Sequence, residues 1–272
     1  MKKKLMSMML CLVLLVSVVF TGCGKDSVTA EDLITEMNEN AENVQSVMGD
    51  MSMGIKIGME IPGQDTKMSL DMTYEGAFEM LKSPEIFHLD GHVGMSLMGL
   101  DMDMEVYSER QDDEVITYMN MMDQWQKSST SYDEEENVNV QDVYKFVTEG
   151  TELELAEETE KIGDQDVYVL TSTLNGDALK NLFQMMSMGA EELAAFGDMA
   201  DAKVEMTMKV FKDSKLPAAI TMTVKDMTVE DEVEGMEMSL DQIEMIINYT
   251  EYDTLDAIEI PQEALDTTIE MH

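Results

Sequence analysis

Met51-Ser52-Met53-Gly54-Ile55-Lys56-Ile57-Gly58-Met59-Glu60-Ile61 places a large apolar residue at every odd position and a small or polar one at every even position. Side chains alternate between the faces of an extended chain, so this stretch reads as a strand with one apolar and one wet face. The same period of two returns downstream. After a turn at Pro62-Gly63-Gln64-Asp65, Met68, Leu70, Met72 and Tyr74 alternate with Ser69, Asp71 and Thr73, which predicts a hairpin. Beyond Gly76 to Pro84, Phe87, Leu89, Gly91, Val93, Met95 and Leu97 share one face. The parity then changes to Met98, Leu100, Met102, Met104 and Val106, which predicts a turn or bulge at Leu97-Met98-Gly99. Residues 115–122 add a strand leading to Trp125-Gln126-Lys127. In the last third, Val204, Met206, Met208 and Val210 return through a turn at 213–215 to Ala218, Ile220, Met222 and Val224. A long final strand shifts parity between Leu240 and Ile243, and residues 255–261 close the fold.

Helical sequence lies around these strands. Thr29-Ala30-Glu31-Asp32 reads as an N-cap with an acidic first turn, and Leu33, Ile34, Met37, Ala41, Val44 and Met48 follow at helical spacing. Further helices are expected over 140–147 and 177–199, and a polar acidic loop over 128–137. Strands and helices do not alternate regularly, which argues against a parallel α/β sheet. The pattern predicts an α+β, mainly β chain: one large twisted antiparallel sheet with helices packed on its concave apolar face. It forms one domain over 29–265 with a tail over 266–272.

The chain opens Met1-Lys2-Lys3-Lys4 and runs apolar from Leu5 to Phe20, broken only by Ser7 and Ser17, as a secretory signal does. That run falls short of the roughly 20 residues that span a bilayer. Its exit, Thr21-Gly22-Cys23, resembles a bacterial lipobox, which implies removal of residues 1–22 and acylation of Cys23, palmitate being a usual chain. Residues 23–28 then form the lipidated cysteine and a short tether, and the domain is held at the extracytoplasmic face of the cell membrane. Two acyl chains anchor stably where one is marginal. Cys11 leaves with the signal, so an acylated Cys23 leaves no thiol for a disulfide, a metal site or a nucleophile. The formal charge is −40, and the signal holds three lysines and no acid, so the mature chain carries about −43. A polyanion of this strength does not bind nucleic acid and is repelled by anionic headgroups.

A helix soon after Cys23, the strand 115–122 running into Trp125-Gln126-Lys127, the segment Ile162-Gly163-Asp164-Gln165-Asp166-Val167-Tyr168-Val169-Leu170 and the end Tyr252-Asp253-Thr254-Leu255-Asp256-Ala257-Ile258-Glu259-Ile260-Pro261 carry a family likeness. In pattern and order the chain resembles the extracytoplasmic lipoproteins of the LolA and LppX/LprG type, uncharacterised Gram-positive relatives included. The likeness spans nearly all of the mature chain and involves no catalytic motif. It implies a half-open β-barrel that holds a lipid or acyl chains between sheet and helices. An anchored chain departs from LolA, a soluble shuttle, and the methionine and acid content departs further.

Methionine is the main candidate functional residue. The chain has 31, many at strand positions where β-branched residues serve better. They fill a core, or they form a pliable cavity wall, because an unbranched thioether repacks around acyl chains of varied shape. The binding reading assigns Met51, Met53, Ile55, Met68, Met72, Met206, Met208 and Met222 to the wall. It assigns Leu33, Ile34 and Met37, with Leu182, Phe183 and Met186, to a lid. The rival is a structural lipoprotein with a packed interior, whose acidic surface engages a protein or cationic peptide. Pairs such as Met51/Met53, Met102/Met104 and Met206/Met208 offer soft ligands to Cu(I), yet they follow automatically when methionine fills alternate strand positions. His88-x-Asp90-x-His92 shares one strand face and reads as exposed polar surface before it reads as a metal site. The acid runs 112–114, 133–136 and 230–234 lack calcium-loop spacing and read as solvated loops. With three histidines, no Gly-x-Ser-x-Gly and no phosphate-cradling loop, nothing assembles a nucleophile and base. The expectation is a non-catalytic, cofactor-free, monomeric lipoprotein whose protein partner the sequence does not name.

Overall fold

The computed structural model describes residues 28–60, 67–96, 99–131, 152–174, 203–233 and 236–270. Helix α1 (Ala30–Ala41) precedes strands β1 (Ser46–Glu60), β2 (Lys67–Lys82), β3 (Glu85–Met95), β4 (Leu100–Gln111), β5 (Glu114–Met121) and β6 (Gln124–Ser131). Then come β7 (Glu154–Leu155), β8 (Glu160–Ile162), β9 (Gln165–Leu174), β10 (Val204–Phe211), β11 (Pro217–Val233), β12 (Met236–Tyr252) and a short helix α2 (Gln262–Leu265). They form one sheet in the order β6-β5-β4-β3-β2-β1-β12-β11-β10-β9-β7, with β8 on β9. Its neighbours pair antiparallel throughout. Two meanders, β1–β6 and β9–β12, thus join where the first strand pairs with the last. This is the mainly β, antiparallel architecture that the alternating pattern predicts.

The two parity changes have different causes. At the first the chain reverses between antiparallel strands: β3 ends at Met95, β4 begins at Leu100, and Gly99 takes φ +59, a left-handed conformation that costs glycine nothing. Between Leu240 and Ile243 the strand continues. Ile57 pairs with Leu240 while Lys56 pairs with Gln242, so Asp241 is the extra residue of a bulge, and Leu240 and Ile243 are both buried in the same core.

Several boundaries move. The α1 cap is as predicted, Thr29 Oγ1 accepting from the Asp32 amide at 3.1 Å. The helix nevertheless stops at Ala41, so Val44 and Met48, expected on the helical stripe, lie beyond it. The cause is tertiary: the Asp253 carboxylate accepts the Gln45 amide at 2.6 Å, the Asp253 amide donates to Ser46 O, and β1 starts at Ser46, five residues before the expected strand. Strand β2 runs through Gly76 to Lys82 instead of ending near Tyr74, and β6 takes in 128–131, expected as loop, because it pairs along β5. Residues 230–233, expected in a loop, continue β11. The expected helices 140–147 and 177–199, the turn 62–65 and Cys23 lie outside the described residues.

The sheet has two apolar faces in part. On one, α1 seats Leu33 and Met37 in the main core with Val47, Phe78, Leu170, Met208, Ile220, Ile247 and Tyr249. On the other, the chain after β12 forms a strap. Ile258 and Ala264 are buried there against Leu81, Ile86, Tyr107 and Tyr118, flanked by Leu255, Ile260, Ile116 and Trp125. The second face, expected to be wet, is thus apolar in part, and the short helix α2, which the sequence reading did not anticipate, lies on it. The strap also meets the β6 edge, where the Lys127 amide donates to Ile269 O at 2.8 Å and the Thr267 hydroxyl to Trp125 O at 2.9 Å. No helix among the described residues is long and apolar enough to cross a membrane.

Candidate functional site

Register, more than periodicity, decides what the methionines do. Met206, Met222, Met245, Met53, Tyr74, Val93 and Met102 are cross-strand partners in succession, one row running over β10, β11, β12, β1, β2, β3 and β4. The next row is Leu170, Met208, Ile220, Ile247, Met51, Gly76, Gly91, Met104 and Met121. A third joins Val204, Val224, Ile243, Ile55, Met72 and Met95. Directly opposed side chains on one face touch, so the first and third rows are continuous apolar strips.

Burial changes along these strips. At the β10–β12 end Met206 and Met222 are 2 % exposed and Met208 is wholly buried. Leu33 and Met37 of α1 are wholly buried in the main core, which draws on β1–β3 as well as β9–β12, with Ile34 half-buried against it. From β1 to β4 the same rows become half-buried at Met51, Met53, Met72, Met95, Met102 and Met104, and Met68 is half-buried too. Ile55 is buried, between Ile243 and Met72. The residues singled out as wall therefore divide: Met206, Met208 and Met222 are packed core, while Met51, Met53, Met68 and Met72 belong to the half-buried stretch. Leu182, Phe183 and Met186 lie outside the described residues.

A dent interrupts the second row. Gly76 and Gly91 face each other across β2 and β3, and a side-chain carbon on either would collide with backbone of the other strand. It would also meet the Tyr74 hydroxyl, which fills the space the glycines leave. Tyr74 is 5 % exposed, and its hydroxyl has no hydrogen-bond partner among the described residues. Burial, with the Asp90 carboxylate adding to it, pushes its pKa up to about 12, so it stays a donor. The sequence reading passed over this group; paired glycines inside strands, a sign of close approach, are the signal that marks it. A separate apolar pocket of about 20 Å³, water-sized, sits near the end of α1 between Ala41, Val44, Val47, Met80, Pro217, Tyr249 and Tyr252.

The His88-x-Asp90-x-His92 motif is split by its surroundings. His88 stacks on Tyr107 at 4.2 Å, with Nδ1 3.1 Å from Glu79 and Nε2 3.4 Å from Glu105, so it is part of the second face's packing and not open polar surface. His92 is exposed and pairs with Asp103. Carboxylates on opposite sides of one imidazole do not converge on a point, and among the described residues no group of three potential ligands could hold a metal ion. Burial raises the Tyr107 pKa, and a hydrogen bond to Glu105 adds to this; burial and Glu109 raise that of Tyr118.

Comparison with known proteins gives one sequence match. The model of a family of unknown function, DUF6612, matches residues 29–269. No curated protein matches the sequence. Among solved structures, LprF from Mycobacterium bovis is similar at a TM-score of 0.41 and 9% identity, over 86% of this chain and 97% of that one. A LolA superfamily protein from Nitrosomonas europaea is similar at 0.22 and 13%, over 87% and 97%. A putative outer membrane lipoprotein-sorting protein domain from Vibrio parahaemolyticus is similar at 0.23 and 10%, over 82% and 92%. Families named by the sequence resemblance are thus among the similar structures; at these scores the likeness carries no argument about activity.

Proposed function

The chain belongs to the DUF6612 family, and we propose that it is a membrane-anchored extracytoplasmic lipoprotein that binds a lipid or other apolar ligand, without catalysis. The binding surface is the β1–β4 half of the face that carries α1. The observation that carries this reading is the gradient along the cross-strand rows, from packed methionine at β10–β12 to half-buried methionine at β1–β4. A strip that is apolar, continuous with a core and incompletely covered gains free energy when an apolar partner completes its burial, about 25 cal/mol per Å². Flexible thioethers suit an acyl chain better than a rigid ligand. Leu182, Phe183 and Met186 are assigned to the covering side. Acylated Cys23, a few residues from α1, keeps the surface near the bilayer that supplies the ligand. A polyanion draws neutral amphiphiles more readily than anionic ones.

Native mass spectrometry of the purified protein, before and after incubation with lipid vesicles, tests the reading. An added apolar mass at one-to-one stoichiometry is the expected result. A bare protein mass in both conditions, under gentle desolvation, sinks it in favour of a packed structural module.

A further inference from the structure

We infer that the half-buried methionines of β1–β5 are an oxidation site: hydrogen peroxide converts their thioethers to sulfoxides ahead of the core methionines, and the apolar surface then releases its ligand. The release rests on the proposed binding surface, whereas the site itself stands on burial alone. Thioethers are the softest nucleophiles available, since the described residues contain no cysteine. In the reaction the sulfur lone pair attacks one peroxide oxygen, an S–O bond forms and the O–O bond breaks. The attacked oxygen's proton passes to the leaving hydroxide, which departs as water. Sulfur is oxidised and the peroxide reduced by one electron pair, so no further reactant is needed.

Attack requires the oxidant to reach sulfur, so susceptibility follows exposure. Met51, Met53, Met72, Met95, Met104 and Met121 are all half-buried in the cross-strand rows of the α1 face. Met72 and Met95 are direct partners, as are Met104 and Met121, so thioethers meet in pairs there. Met206, Met208, Met222 and Met245 stand in the same rows and are at most 4 % exposed. Reactive and protected sulfurs thus share one face. Charge selects among oxidants: peroxide is neutral, and a chain of formal charge −40 does not repel it as it would an anionic oxidant. A sulfoxide replaces a flexible apolar side chain by a polar one. On a surface that works by apolar contact this change opposes the ligand. It costs the fold little, because Met51, Met53, Met72 and Met104 pack at the margin of the core and not within it.

Purified protein treated with peroxide to partial conversion tests the inference. Peptide mass spectrometry gives the sulfoxide at each methionine, and a hydrophobic fluorescent probe and the denaturation midpoint are followed in parallel. Met122, 69 % exposed between β5 and β6, reports that the oxidant has acted. Sulfoxide is expected at the half-buried positions before the core ones. Probe affinity should fall about fivefold or more, the effect of setting an unpaired polar oxygen against an apolar ligand, with the midpoint little changed. Methionine sulfoxide reductases should restore it. A triple variant, Met51→Leu with Met53→Leu and Met72→Leu, should lose a smaller fraction of its own starting affinity on oxidation. Sulfoxide spread evenly over buried and half-buried methionines overturns the site. Oxidised wild type that binds the probe unchanged overturns the release, as does a triple variant that loses the same fraction as wild type. Untreated protein that binds no probe removes the binding surface and the release with it, and the sulfoxide map then decides the site alone.

Discussion

Met206 and Met53 stand in one cross-strand row of the same sheet, on the same face, yet one is core and the other is half-buried. Period-two alternation placed both on the apolar face and said nothing of depth. Depth comes from what lies over each end of the row and from which strands neighbour it. Methionine therefore serves two purposes in one strip: a filler along β10–β12, and a deformable surface where β1–β4 leave it part-covered. The difference is open to attack by substitution.

The largest effect is expected at the packed end. Met208→Ala should cost about 2–5 kcal/mol, the usual range for a buried large-to-small change. Met72→Ala, in the half-buried stretch, should cost about 1 kcal/mol or less. Denaturant midpoints of the two variants decide this. Equal losses would erase the distinction between the two ends.

The strap on the second face offers the next test. Ile258→Ala removes a side chain buried against Tyr107 and Tyr118 and should cost about 2–3 kcal/mol. Trp125, the chain's one tryptophan, flanks that cluster, so its emission should shift to the red in the variant. Ligand binding on the α1 face should stay as it was. An unchanged midpoint and emission would mean that the strap contributes nothing to holding β4–β6.

A smaller effect is expected from alkaline pH. Tyr74, Tyr107 and Tyr118 all hold their protons more tightly in the fold than the ordinary value of 10.0. Below that value folded and unfolded chains are both protonated, and the contribution to stability is whole. Above it the unfolded chain ionises first, so stability falls as pH rises from 10 through about 12, where Tyr74 itself titrates. Denaturation midpoints across this window should decline, and by less in Tyr74→Phe. A flat profile would contradict the burial of these phenols.

Much of this fold was legible because its strands obey a strict alternation and its turns carry glycine, proline or acids. Thr29 marked the helix start, and the parity shift between Leu240 and Ile243 marked the place where the register shows a bulge. Missed features depend on partners remote in sequence. Asp253 stops α1 early and starts β1, and pairing to β5 turns the polar run 128–131 into a strand. The strap's second core needs Ile258 to meet Tyr107, a contact no local pattern encodes. For the candidate site, the sequence placed methionines on a face but not in rows. Tyr74 read as one more apolar strand residue, because only register sets its ring over Gly76 and Gly91.

The central claim is that the β1–β4 half of the α1 face takes an apolar ligand while the β10–β12 half is core. The most direct measurement is the affinity of a hydrophobic fluorescent probe for wild type, Met53→Ser and Met222→Leu, each paired with its denaturation midpoint. The account predicts that wild type binds saturably, that Met53→Ser weakens binding about fivefold with a small change in midpoint, and that Met222→Leu leaves binding intact. Absence of saturable binding in wild type, or equal losses of affinity in the two variants, would contradict it.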